Sequence, residues 1–298
     1  EFYDHPAALP VVERSSIKMD LHRRDFTINT LALRLDGDHF GQIFDFWGGY
    51  DDLQRGLIRV LHALSFVDDA TRMLRAVRFS ERFGFLIEER TLGLLKDSLP
   101  LLDRLSGARL QHEFDLIFLE ENVTRIMNSL EKLGILSSLH PELDWKGLDQ
   151  QRIQLFMTNA AESTLDLKDQ QQSIWILWLE DYQGEELIEI VDRLRLTSKQ
   201  VDLIKQSGRL RGLLPELPKL PPSEISDHLS VFSELVIQTV LFSEEDAAQQ
   251  KPLHDYLVHY RHINAYTSGD DLRKRGIPPS PLYEEILNQL KAAWLDGK

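Results

Sequence analysis

The sequence predicts a mainly α protein with an α+β portion at its N-terminal end, and three observations carry that expectation. First, 298 residues with 42% hydrophobic content can bury more than one core, because single cores stop growing near ~250 residues. Second, Asp36-Gly37 separates two alternating stretches, Leu31 to Leu35 and Phe40 to Phe46, which is a hairpin signal. Third, from Asp69 onward the apolar residues recur at helical spacing and strand signals nearly vanish.

The elements follow in order. Glu1-Phe2-Tyr3 reads like the middle of a strand without leader character, so an N-terminal truncation is expected. After the hairpin, helices are expected over about 70–83, 89–98, 107–121 and 123–133, with Gly84 and Gly134 closing two of them and Ser106 opening another. Breaks fall from His140-Pro141 to Gly147 and from Leu214 to Ser223, where Pro215, Pro218, Pro221 and Pro222 forbid a continuing helix. A last break at Gly276 to Pro281 precedes an amphipathic helix from Leu282 to Leu295. Trp175, Trp178 and Trp294 stand at helical positions among leucines and isoleucines and are expected in the core or an interface.

Composition excludes several classes of function. No run reaches the ~18 consecutive apolar residues of a membrane span, so no membrane association is expected. There are no cysteines, which rules out disulfides, thiolate zinc and a cysteine nucleophile and makes the cytoplasm the expected location. No Gly-x-Ser-x-Gly elbow supports a hydrolase triad. His254, His259 and His262 near Asp255 have ligand-like spacing, but no second cluster completes a metal site and none is assigned. A net charge of −14 disfavours nonspecific attraction to nucleic acid, because Lys and Arg drive phosphate binding. Any RNA site must be local. Between Arg72 and Arg109 the balance reverses: Arg72, Arg75, Arg78, Arg82, Arg90, Lys96, Arg104 and Arg109 outnumber the acids.

Three segments can carry chemistry. In Asp68-Asp69-Ala70-Thr71-Arg72-Met73-Leu74-Arg75-Ala76-Val77-Arg78-Phe79, a rotation of ~100° per residue puts Arg72, Arg75, Arg78 and Arg82 on one arc and Met73, Leu74, Ala76 and Val77 on the opposite one. An Asp beside an Arg can offer an acceptor and a donor fork to a base edge. Equally, Asp69 can simply cap the helix while the arginines form its solvated face. In Arg23-Arg24-Asp25-Phe26-Thr27-Ile28-Asn29, Arg24 and Asp25 suit a triphosphate and a ribose hydroxyl, although a surface Arg–Asp pair with Asn29 at a helix end reads the same way. In Asp45 through Arg59, Gly48-Gly49 permits positive φ or close backbone approach. Asp45 and Asp52 do not form a close Asp-x-Asp pair and are not assigned to metal.

Together and in this order, these segments resemble class II tRNA nucleotidyltransferases and the related bacterial poly(A) polymerases, most strongly over residues 1–145. The resemblance implies the remnant of an α+β nucleotidyltransferase head over 1–64, a helical neck with base recognition over 65–140, and a helical body and tail that bind tRNA over 141–298. It implies that the 23–29 segment selects ribose and that 45–59 is a hinge between head and neck. Asp69 and Arg72 would read the Watson–Crick edge of ATP or CTP, and Arg24, Asp25, Asn29, Arg75 and Arg78 would contact the nucleotide. Ser106-Gly107-x-Arg109-x-x-x-Glu113 resembles the following neck motif, in which Arg109 and Glu113 would organise the template helix.

Two positions depart from the family pattern: Asp68 stands where Glu is usual, and Ala70 where Pro is common. The segments Leu61-His62-x-Leu64-Ser65-Phe66 and Gly269-Asp270-Asp271-Leu272 resemble a long bacterial branch with fused upstream domains. The family's Gly-rich turn and Asp-x-Asp pair are expected upstream of Glu1, and with them the Mg²⁺ ligands, so no catalytic residue is assigned and this chain alone is expected not to catalyse transfer. The function expected of the intact protein is transfer of AMP, with CMP as a further possibility, to the 3′ end of the tRNA acceptor arm. A noncatalytic RNA-binding relative and a poly(A) polymerase are the alternatives.

Overall fold

The computed structural model describes residues 16–161, 163–263, 267–278 and 280–298, so the strand expected at Glu1 to Tyr3 lies outside the described residues. The chain divides into two compact units that part between Asp144 and Trp145, within the stretch interrupted by Pro141 and Gly147.

The first unit opens with α1 (Ile17–His22), whose cap Ser16 accepts from the Met19 N–H at 3.3 Å. A 3-10 turn at Thr27–Thr30 leads to an antiparallel pair, β1 (Ala32–Leu33) and β2 (Ile43–Phe44), with Ala32 opposite Phe44 and Leu33 opposite Ile43. The hairpin is there, but its turn is wide. Asp36 keeps a φ of −137° and only Gly37 is left-handed, at 61°, whereas a two-residue type I′ turn needs both central residues at positive φ. A 3-10 turn over Gly37–His39 fills the loop instead, and the Arg34 N–H to Gln42 O (2.9 Å) and Gly41 N–H to Arg34 O (2.8 Å) bonds fix the register.

The glycine pair starts α2 (Gly49–Arg55), and each glycine serves a different need. Gly48 takes a left-handed φ of 73°, while at Gly49 a Cβ would lie 2.2 Å from the Thr27 carbonyl oxygen. Asp45 receives the N–H groups of Trp47, Gly49 and Tyr50 at 3.3, 2.8 and 3.0 Å. Burial acts to raise its pKa, but these backbone donors outweigh that and hold it below the usual carboxylate value.

Next, β3 (Leu57–Ile58) pairs in parallel with β4 (Leu86–Ile87), and α3 (Ser65–Asp68) and α4 (Thr71–Phe83) lie between them in the chain. Among the described residues β4 is the single strand past Asp69, in keeping with strand signals that nearly vanish there. A two-residue strand has no period to detect, and Leu86, 73% exposed, gives no sign of burial. The unit is completed by α5 (Glu89–Ser98), α6 (Gly107–Ile117), α7 (Val123–Lys132) and α8 (Ile135–Leu139). Met73, Leu74, Ala76 and Val77 of α4 are buried, and α4 packs on α6 and α7.

The second unit comprises α9 (Gly147–Ala160), α10 (Leu167–Leu179), α11 (Gly184–Leu194), α12 (Ser198–Leu213), α13 (Pro222–Leu229), α14 (Glu234–Phe242), α15 (Ala247–Val258), α16 (Gly269–Lys274) and α17 (Leu282–Leu295). Trp175 and Trp178 are buried as expected; Trp294 is not, at 53% exposure, because α17 contributes no buried residue to the core. At the C-terminal end of α10, the buried Glu180 accepts from Arg211 Nε (3.0 Å) and from the Ser207 hydroxyl, and pairs with Arg152 (2.9 Å). Burial pushes its pKa up against the pull of those cations. Among the described residues, no single helix is long and apolar enough to cross a membrane.

The glycine pair makes a direct comparison possible. Gly49→Ala should destabilise the protein by about 2 kcal/mol or more, since the Thr27 backbone must move. Gly48→Ala, with open space around its Cβ, should cost only the ~1–2 kcal/mol of a left-handed alanine. Urea denaturation of both variants checks the order; a Gly49→Ala protein as stable as the parent would refute the close approach.

Candidate functional site

The site is built on α4 and on the loop that follows α1. Asp69 lies just before α4, and its Oδ1 accepts from the Thr71 N–H (3.0 Å), the Thr71 hydroxyl (2.7 Å) and Arg109 Nη2 (2.6 Å). Its Oδ2 accepts no hydrogen bond among the described residues. Ala70 adopts φ −67°, the value a proline would fix, so the departure at that position leaves the helix start unchanged.

One turn on, Arg72 is pinned at both ends of its fork. Nη1 donates to Ser65 Oγ at 2.8 Å and Nη2 donates to the Arg23 carbonyl at 2.9 Å. Arg75 donates through Nε (2.9 Å) and Nη2 to Asp25 Oδ2, while Asp25 Oδ1 accepts from Asn29 Nδ2 (2.8 Å) and the Phe26 N–H (3.0 Å). Burial works to raise the pKa of Asp25, but the Asn29 bond, the Arg75 charge and the remaining donors overcome it and leave the carboxyl below its ordinary value. Arg24 is less constrained: its side chain is 54% exposed and, among the described residues, meets only Asp20, at 3.7 Å.

These side chains surround a cavity of about 370 Å³ lined by Arg23, Arg24, Asp25, Asn29, Asp69, Arg72 and Arg75. Of the residues expected to contact nucleotide, Arg24, Asp25, Asn29, Asp69, Arg72 and Arg75 converge here. Arg78 does not. It is buried and faces Glu113 at 3.8 Å, a separation too long for a hydrogen bond, and neither Arg78 Nε nor Glu113 Oε2 has a hydrogen-bond partner among the described residues. Burial lowers the pKa of Arg78 and raises that of Glu113, with the neighbouring charges only partly opposing it. Glu113 also stands 4.0 Å from Arg75, so it backs the arginine row from α6. Arg23 was not among the expected contacts; its signal was the Arg23-Arg24 doublet itself.

Among the described residues, no group of three His, Asp or Glu side chains could share a metal ion. Asp52 is committed to the Thr27 hydroxyl (2.6 Å) and to Arg59 Nε (3.0 Å). The cavity thus offers one free carboxylate oxygen, a fixed guanidinium and an exposed guanidinium, a set suited to a planar hydrogen-bonding group that carries phosphate.

Comparison with known proteins is consistent with that chemistry. The sequence model described as the Poly A polymerase head domain matches residues 1–59, and the one described as the probable RNA and SrmB-binding site of polymerase A matches residues 84–146. The A-adding tRNA nucleotidyltransferase of Geobacter sulfurreducens is 33% identical over 100% of this chain, which spans only 36% of that protein's length. The Thermotoga maritima CCA-adding enzyme complexed with tRNA is 31% identical, with a TM-score of 0.77 over 96% of this chain and 71% of that one. Complexes of a CCA-adding enzyme with ATP and with CTP are each 31% identical, with TM-scores of 0.78 and 0.77 over 95% of this chain and 69% of theirs.

The lowered pKa of Asp25 makes a signed prediction. Its charge contributes stability above the unfolded value near ~3.9, and that contribution disappears as pH falls through the lower folded value. Asp25→Asn should cost about 2 kcal/mol at pH 7, and the gap to the parent should close below about pH 4. Thermal melts of both proteins from neutral to acid pH measure it, and a gap independent of pH would show that the Asp25 charge is not what joins the loop to α4.

Proposed function

Because the chain belongs to the class II tRNA nucleotidyltransferase family, we propose that it selects ATP, and CTP as a second substrate, for addition of the nucleoside monophosphate to the 3′ end of tRNA. The observation that carries this reading is the division of labour at Asp69, where one carboxylate oxygen is saturated by Thr71 and Arg109 and the other has no donor among the described residues.

Asp69 shares a cavity with a guanidinium, that of Arg72, already immobilised by Ser65 and the Arg23 carbonyl. Adenine and cytosine each carry an exocyclic amine that an acceptor can receive, whereas guanine and uracil carry a carbonyl at the corresponding place. A fixed acceptor next to a fixed donor therefore favours ATP and CTP and meets GTP or UTP with two acceptors face to face. The exposed Arg24 suits the triphosphate, and the Asp25–Asn29 pair suits the ribose hydroxyls, through charge-assisted hydrogen bonds. Relatives named A-adding tRNA nucleotidyltransferases support AMP as the group transferred and tRNA as the acceptor.

Transfer joins the 3′-hydroxyl oxygen to the α-phosphorus and releases pyrophosphate. Mg²⁺ in such reactions lowers the pKa of the attacking hydroxyl and stabilises the leaving group. Among the described residues no three His, Asp or Glu side chains could share an ion, Asp45 being held by the start of α2 and Asp52 by Thr27 and Arg59, and no step is assigned to them. The tRNA acceptor arm is the proposed partner of the helical units.

Asp69→Asn tests the template role with little change in shape. The amide oxygen can still accept from Thr71, while the amide nitrogen presents a donor where the free oxygen stood. ATP affinity, measured by isothermal titration, should fall about tenfold or more, with the melting temperature within a few degrees of the parent. Undiminished ATP affinity would overturn the assignment.

A further inference from the structure

We propose that a second cavity along α4 seats an unpaired, amine-bearing base of the RNA strand being extended; this rests on the transferase reading above. The cavity measures about 470 Å³ and lies entirely within the first unit, between the C-terminal half of α4 and the end of α6. Arg78, Arg82 and Phe83 form one wall, with Leu119, Glu121 and Asn122 among the residues opposite. Arg82 lies seven residues beyond Arg75, two helical turns or about 10 Å along the axis and within about 20° of the same face. One helix face therefore carries the nucleotide cavity at one end and this cavity at the other.

Two independent observations point to RNA. The residues from 119 to 122 lie inside the 84–146 segment that matches a probable RNA-binding site. The wall carries a supported aromatic ring: Phe83 is 47% exposed, yet it rests against Phe79 (centroids 5.9 Å apart, 20° between planes) and Phe85 (5.6 Å). Arg82 lies over the Phe83 ring at 5.5 Å. A braced, half-exposed ring beside a guanidinium is the arrangement on which unpaired bases stack.

The polar groups opposite decide which base. Arg82 and Glu120 pair at 3.5 Å and largely cancel each other's charge. The Glu121 and Asn122 side chains have no hydrogen-bond partner among the described residues. Both can accept from an exocyclic amine, as Glu and Asp do from cytosine. Arg78, whose buried Nε has no partner, reaches this cavity and not the first, which gives the third arginine of the row a place on the RNA side.

The test separates RNA affinity from nucleotide affinity. Using the whole chain, dissociation constants are measured for a tRNA that lacks its terminal adenosine and, separately, for ATP. Phe83→Leu keeps apolar packing against Phe79 and Phe85 but removes the ring, and should weaken tRNA binding roughly tenfold while ATP affinity holds. Phe83→Tyr restores the ring and should bind tRNA like the parent, which a purely structural role for Phe83 would not require. Wild-type tRNA affinity in a folded Phe83→Leu protein, or an equal loss for ATP and tRNA, overturns the proposal. A parent chain that binds tRNA but not ATP would instead refute the function proposed above, and the Phe83 variants would then decide whether the cavity holds an RNA base without transfer.

Discussion

The ion pair between Asp25 and Arg75 is the interaction on which the site depends. Asp25 sits in a loop after α1 and Arg75 in the middle of α4, fifty positions apart in the chain. A buried carboxylate is costly unless its oxygens are filled. Here they are filled by Arg75, Asn29 and the Phe26 N–H, and the net effect favours the charged form. With that pair closed, the Arg23 carbonyl comes within reach of Arg72, and the loop and the helix form two walls of one cavity. The contrast with Glu113 and Arg78 is instructive. They lie 3.8 Å apart and leave a buried donor and a buried acceptor unfilled, so burial prevails and both charged forms are disfavoured. Equal burial with unequal hydrogen bonding gives opposite outcomes.

A helix suits this task because its geometry spaces side chains without adjustable parts. Along α4 the arginines recur on one arc, and the neighbouring elements decide what each becomes. Arg72 and Arg75 meet the loop after α1, Arg78 is drawn under α6 by Glu113, and Arg82 emerges beside Phe83. The opposite arc is buried against α6 and α7, which anchors the row. In a protein of net charge −14, such confinement lets a cationic strip act locally while the rest of the surface repels stray polyanions.

Much of this was legible in the residues, and the gaps have physical causes. The spacing of Met73, Leu74, Ala76 and Val77 against Arg72, Arg75 and Arg82 showed both the helix and its faces, since helical period is a property of local sequence. The Gly48-Gly49 pair showed a turn or a close approach, and the structure uses one glycine for each. The wide turn after Asp36 was not legible, because the dipeptide allows a tight turn without compelling it. Nor was β4, whose two residues pair with β3 only through the fold. The burial of Arg78 was hidden for a related reason: periodicity places it on the polar arc, and only the packing of α6 puts Glu113 over it. Sequence pattern reports what a segment prefers, and long-range packing settles which of several polar residues reaches a cavity.

Asp69 shows why the structural and functional readings of a residue need not compete. A carboxylate that capped the helix with both oxygens would have nothing left for a ligand, and one that capped with neither would be free to rotate. By giving Oδ1 to Thr71 and Arg109, the side chain fixes the direction of Oδ2, so the entropy of orienting an acceptor is lost on folding and not again when a base arrives. Arg72 is fixed in the same way by Ser65 and Arg23. Selection between bases without a complementary strand requires a donor and an acceptor that hold still relative to each other, because a mobile pair would reorient to suit the wrong base. On the proposed reading, the capping bonds of α4 are therefore what would let its entrance discriminate.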